Sequence, residues 1–121
     1  MKLSKSEEIL MSHIWKLGKA YMKDLIDEYP DPKPANTTIA TLLKRMRDKN
    51  FIDFEQDGGS RVYYPIVEKS DYVGGHLQSV VKKFFGNSTS QFASFFTQKS
   101  DLSKEELKAL REIIDEEIKK K

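Results

Sequence analysis

The chain contains no cysteine, which excludes disulfides, thiolate metal sites and cysteine nucleophiles. Histidine is scarce. His13 and His76 stand far apart and supply neither a ligand cluster nor an acid–base pair. No apolar run approaches the roughly 18 residues that a membrane-spanning helix needs, and no signal-peptide pattern is present. The expectation is a soluble, cytoplasmic protein. Charge of one sign is also lacking: 21 bases against 19 acids leave a net +2, too little to diagnose a nucleic-acid partner, so that case has to rest on local distribution. There is no plausible triad, metal cluster or phosphate-cradling glycine loop. The chain is therefore not read as an enzyme, and no cofactor or metal is expected. Its 121 residues allow one ordinary domain or two very small ones.

What is present is an unusual stretch from Lys33 to Arg61. Ile39, Leu42, Leu43 and Met46 recur at i, i+3, i+4 and i+7, so a helix here has one apolar stripe that must pack on a core. Asn36, Thr37, Thr38, Thr41, Lys44 and Arg45 fall largely on the remaining faces, and hydroxyl and cationic groups bond phosphates and base edges. Between residues 33 and 49, Lys33, Lys44, Arg45, Arg47 and Lys49 face only Asp48. Solvation of an ordinary surface helix would also account for these polar residues. The next segment tilts the balance toward a nucleic-acid partner: Phe51, Ile52 and Phe54, then Asp57-Gly58-Gly59-Ser60, then Val62, Tyr63, Tyr64 and Ile66 predict a β-hairpin with Arg61 near its tip.

Upstream, Ser4-Lys5-Ser6-Glu7 offers a capping box to a helix carrying Leu10, Met11, Ile14, Trp15 and Leu17 and ending at Gly18. Trp15 reads as a core anchor and His13 as a surface residue. Ala20 to Met22 is a candidate short strand, Lys23 to Tyr29 a short helix, and Pro30, Pro32 and Pro34 stop it. Asn36 is the better cap for the helix after the prolines. Helix, optional strand, helix, turn, helix and hairpin is the winged variant of the helix-turn-helix, whose second motif helix enters the major groove.

The character changes after Pro65, and the expected division is residues 1–69 as the winged-helix part and 70–121 as a helical region. Ser70 is a candidate cap for a helix with Phe84 and Phe85 that contains Gly74 and Gly75, which weaken it or permit a close approach or a bend. A short helix holds Phe92, Phe95 and Phe96. Ser103-Lys104-Glu105-Glu106 opens a last helix striped by Leu107, Leu110, Ile114 and Ile118. About fifty residues without cysteine or metal rarely stabilise themselves. Association is the natural remedy, and the last three helices are expected to interlock with those of a second copy through these nine apolar residues; folding back on the first core is the alternative. The fold class is mainly α with a small β-hairpin.

Three segments resemble the BlaI/MecI penicillinase-repressor family: Glu8-Ile9-Leu10-Met11 to Ile14-Trp15; Thr38-Ile39-Ala40-Thr41-Leu42-Leu43-Lys44-Arg45-Met46, similar to a T-I-x-T-L-[LI]-x-R-[LM] recognition helix; and Tyr63-Tyr64-Pro65-Ile66-Val67 with Ser70-Asp71-Tyr72. The resemblance spans nearly the whole chain. It implies a homodimeric transcriptional repressor on an inverted-repeat operator, with a three-helix C-terminal dimerisation region. It further implies control of β-lactamase or related resistance genes and inactivation by proteolysis triggered by a membrane sensor metalloprotease. The family's cleavage point is an Asn-Phe bond; its phenylalanine matches Phe96, but Phe95 stands where the asparagine would be. Copper-responsive relatives carry a cysteine-rich motif that this chain lacks. The rival reading is a winged-helix protein-interaction module that binds no DNA, to which the acids Asp53, Glu55 and Asp57 near the wing lend support.

Overall fold

Ser4 stops the incoming chain and starts helix α1 (Lys5–Leu17) by a reciprocal exchange: its Oγ accepts from the Glu7 amide at 3.2 Å while its own amide donates to Glu7 Oε1 at 2.7 Å. Leu10, Met11 and Ile14 on one face are fully buried. Gly18, at φ 79°, closes the helix by donating its N–H to Ile14 O, a backbone conformation that glycine adopts without a Cβ penalty. The structure, a computed structural model, describes residues 2–121.

The expected strand at Ala20 is reduced to a single bridge. Ala20 exchanges two backbone hydrogen bonds with Tyr63, at 3.0 and 2.8 Å, and so adds a third edge to the later hairpin. Helix α2 (Met22–Asp27) is short, held at its start by Asp24 accepting from the Tyr21 amide. Lys33 Nζ donates to the carbonyls of Asp27 and Tyr29 just past its end. Helix α3 (Asn36–Asp48) buries the four residues read from its periodicity, Ile39, Leu42, Leu43 and Met46. Its cap differs from expectation: Ala35 takes the cap position and no side chain caps the helix, so Asn36 is the first helical residue and is exposed.

Strands β1 (Ile52–Asp57) and β2 (Ser60–Pro65) form the antiparallel hairpin, with Phe54 opposite Tyr63 and Gln56 opposite Arg61. Leu3, Leu10, Met11, Ile14, Ala20, Leu25, the α3 stripe, Phe51, Ile52 and Tyr63 make one core. Burying a side chain of this size stabilises by about 1.5–3 kcal/mol, which is what pins three short helices to a two-stranded ribbon. Tyr63 is a packing residue, 9% exposed. Trp15 packs against this core and donates its indole N–H to Val67 O at 2.9 Å. His13 is not a free surface residue. Its ring sits edge-on to Tyr29 at 4.7 Å, its buried Nε2 has no partner among the described residues, and burial lowers its pKa.

Helix α4 (Lys69–Phe85) starts one residue before Ser70, which therefore lies within its first turn, and it runs unbroken through Gly74 and Gly75. Tyr72, in that helix, lies 5.7 Å from Trp15 and 5.6 Å from Phe51, and donates its hydroxyl to Glu8 at 2.7 Å. Burial and the Glu8 carboxylate push its pKa up to about 12. These contacts explain why the first compact unit extends to Val73, past the composition change at 69/70.

The second unit, Gly74–Lys121, comprises the rest of α4, then α5 (Thr89–Lys99) and α6 (Lys104–Lys120). Ser88 caps α5, and Ser103 caps α6 through the expected box with Glu106. Phe85, Phe92, Phe95 and Phe96 contact one another with ring centroids 5.5–6.1 Å apart. No residue of this unit is buried, and Phe84, Ile113 and Ile118 are more than 60% exposed. No helix among the described residues is long and apolar enough to cross a membrane.

One buried charge ties the start of α1 to the end of α3. Glu7 is 1% exposed, and its Oε1 accepts from Lys49 Nζ at 2.7 Å, while Lys49 also donates to Lys2 O at 3.0 Å. Burial alone would raise the Glu7 pKa, but the bonds from Lys49 and Ser4 outweigh it and hold it below its ordinary 4.5. A carboxyl depressed in the folded state stabilises above its unfolded pKa and stops doing so as pH falls through the folded one. Urea unfolding should therefore show stability declining as pH drops below about 4.5, with Glu7→Gln flattening the decline. Lys49→Met, which strands the carboxylate, should cost roughly 2–4 kcal/mol at pH 7.

Candidate nucleic-acid interface

Burial of one stripe decides what the rest of α3 presents. Thr37, Thr38, Thr41, Lys44 and Arg45 are all exposed, as is Arg61 on β2. They do not form one patch. Thr38, Thr41 and Arg45 line a cleft of about 660 Å³ on the side of Ser4, Ser6 and Ile9. Lys44, Arg47 and Arg61 line another, of about 490 Å³, between α3 and the hairpin. The helix therefore projects between two grooves, with Thr37 and Thr41 one turn apart on its outer face. Its N-terminus carries no capping side chain, which leaves amide donors and the positive end of the helix dipole open to an anion.

Internal bonds change what these groups can do. Thr41 donates its hydroxyl proton to Thr37 O at 2.9 Å, so in this rotamer it offers an outside partner only a lone pair and a methyl group. Such a group can accept from a cytosine or adenine amino group or pack on a thymine methyl. Lys44 pairs with Asp48 at 3.1 Å, and Lys49 is spent on Glu7. Of the five bases counted between residues 33 and 49, Arg45 alone has no intramolecular partner among the described residues. The linear charge count thus overstates the free positive charge.

The wing acids are likewise occupied. Asp53 accepts from Arg47 Nε at 3.0 Å, Glu55 meets Lys19 at 3.5 Å, and Asp57 accepts from the Tyr21 hydroxyl. The Phe54 amide, and after it Arg47, hold the Asp53 carboxyl below its ordinary range, and the bond to Asp57 raises the Tyr21 phenol. Arg47 and Phe54, absent from the site as read from the sequence, emerge here. The guanidinium carbons of Arg47 and Arg61 lie 4.4 and 4.2 Å from the centroid of the Phe54 ring. No periodicity marks that contact; only the strand register, with Phe54 opposite Tyr63 two residues from Arg61, could have pointed to it.

A three-helix core whose last helix projects a polar face beside a β-hairpin that carries Arg61 defines the winged helix-turn-helix class. The chain belongs to the penicillinase repressor family, whose model matches residues 3–116. It is 30% identical over 115 residues to the methicillin resistance regulatory protein MecI of Staphylococcus aureus strain N315, covering 94% of each chain. It is 26% identical over 121 residues to the penicillinase repressor of Bacillus licheniformis, covering 99% of this chain and 94% of that one. Among solved structures it is similar to the Bacillus licheniformis BlaI monomeric form in complex with the blaP half-operator, with TM-score 0.50, 29% identity, and 60% of this chain and 89% of that one covered.

Asp48 is the acid closest in sequence to Lys44 on the projecting helix. Asp48→Asn should raise affinity for duplex DNA by about 2- to 5-fold at moderate salt, and steepen the salt dependence, because Lys44 is released and an anion removed. Fluorescence anisotropy titrations at several salt concentrations measure both.

Proposed function

We propose that this protein is a transcriptional repressor that binds an inverted-repeat DNA operator as a homodimer, with residues 1–69 reading the DNA and residues 70–121 joining the two copies. The observation that carries the reading is the division of α3 into a buried apolar stripe and an exposed threonine-and-cation face flanked by Arg61, in a chain of the penicillinase repressor family. A helix seated so firmly on one side can be pushed into a major groove without unfolding. Asn36, Thr37, Thr38 and Thr41 would meet base edges and sugar-phosphate at the helix start, Lys44 and Arg45 the flanking phosphates, and Arg61 the backbone or minor groove beside the wing. Repression needs only occupancy of the operator.

The wing acids, which favour a protein-interaction module, each have an intramolecular partner. Their repulsion of a phosphate backbone is correspondingly weaker. The dimer reading draws support from a helical unit in which nothing is buried while Phe84, Phe95, Phe96, Leu107, Ile114 and Ile118 are exposed; Phe85, Phe92 and Leu110 lie half-buried beside them. Twofold symmetry then requires half-sites on one side of the duplex, about one turn or a multiple apart.

The regulated genes on this reading are β-lactamase or related resistance genes, and a membrane sensor metalloprotease is the partner that ends repression in the cytoplasm. The bond between Phe95 and Phe96 lies inside α5, so a protease that takes extended substrate must first unwind that helix.

The test is a gel shift on fragmented genomic DNA at low salt, followed by sequencing of the retained fragments. Retained fragments should share an inverted repeat, and sedimentation should give a dimer at micromolar concentration. Thr38→Ala or Thr41→Ala should change the preferred bases. Lys44→Ala or Arg61→Ala should weaken all duplexes alike and flatten the salt slope by about one ion each. A monomer in sedimentation, or retention without a shared sequence, contradicts the proposal.

A further inference from the structure

One aromatic ring is shared by two guanidinium groups that reach it from different elements. Phe54 sits on β1 opposite Tyr63, packed against the core, with the Tyr63 ring 5.7 Å away. Its amide donates to Asp53 Oδ1 at 2.9 Å, the same oxygen that accepts from Arg47 Nε at 3.0 Å. The antiparallel register places Arg61 diagonally across from Phe54 on one face of the hairpin. Arg47 therefore has both an acid and the ring, whereas Arg61 has no acidic partner among the described residues and lies over the ring at 4.2 Å. A guanidinium over an aromatic face is attracted by the ring quadrupole and keeps its N–H groups directed outward for another acceptor. Lys44 lines the same cleft.

We infer that Phe54 is a positioning residue for DNA binding: its ring holds Arg61, with Arg47 beside it, so that these two arginines and Lys44 face neighbouring phosphates of one backbone segment. The inference rests on the repressor reading above. The ring makes no contact with the nucleic acid. It restricts the long arginine side chain before binding, so less freedom is lost when a phosphate arrives.

The experiment uses the full chain and a labelled duplex that the wild type retains, titrated across a salt series. Phe54→Leu keeps the apolar packing but removes the π-face, and should weaken binding by about 2- to 5-fold while flattening the salt slope. Phe54→Tyr should restore both. In the Phe54→Leu background, Arg61→Ala should cost less than it does in the wild type, because the two residues act as one unit. Unfolding midpoints establish that each variant is folded. If Phe54→Leu does not fold, pentafluorophenylalanine at position 54, which has nearly the same shape and a reversed quadrupole, should reproduce the loss. Wild-type affinity and slope in a folded ring-altered variant, or independent losses in the double variant, overturn the inference while leaving the repressor reading intact. A wild type that retains no duplex at all overturns the repressor reading and the role of Phe54 with it.

Discussion

Everything functional in the first unit depends on how α3 is gripped. Ile39, Leu42, Leu43 and Met46 enter a core built from α1, α2 and the hairpin, and all four are at most 8% exposed. Taking apolar surface from water is non-directional and large in total, so it fixes the depth and rotation of the helix without using any polar group. The polar residues between those four are left with no internal task beyond local pairing. A looser seat would let the helix roll and would blur which residues face outward. The ion pair between Lys49 and the buried Glu7 carboxylate adds orientation to this seat by tying the end of α3 to the first turn of α1.

The cations show a division of labour that a net charge conceals. Lys33 caps the carbonyls after α2, Lys49 neutralises a buried carboxylate, Lys19 and Arg47 offset wing acids, and Lys44 leans on Asp48. Exposed pairs of this kind are worth little in stability, and they are easily exchanged for a phosphate. Lys49, half-buried on the buried Glu7 carboxylate, is not exchangeable. Arg45 and Arg61 are the groups whose charge is least committed, and they lie on opposite sides of the projecting helix.

Local signals make the secondary structure legible. Serine-to-glutamate capping boxes at Ser4 and Ser103, the glycine after α1, the period of α3 and the Asp57–Gly58–Gly59–Ser60 turn all act within a few residues of themselves. The same period leaves the exposed face of α3 legible, and the turn places Arg61 near the hairpin tip. Pairings between distant residues escape such reading. His13 reads as exposed because its own helix places it off the apolar stripe, and the Tyr29 ring that covers it comes from beyond α2. Side-chain preference assigns the cap of α3 to Asn36, yet the chain leaving the prolines enters helical geometry one residue sooner and puts Ala35 at the cap. The bonds that occupy Lys49 and Lys19 span 42 and 36 residues, respectively, distances at which linear spacing carries no information.

The sole tryptophan of the chain occupies a telling place. Its indole N–H is bonded to the carbonyl of Val67, just past the hairpin, and its ring lies beside Tyr72 in the first turn of α4. Indole emission shifts with hydrogen bonding and solvent exposure, and a tyrosine at that separation transfers excitation to it efficiently. The molecule therefore carries an intrinsic optical gauge at the point where the hairpin gives way to the long helix, readable without a dye and undisturbed by any second indole.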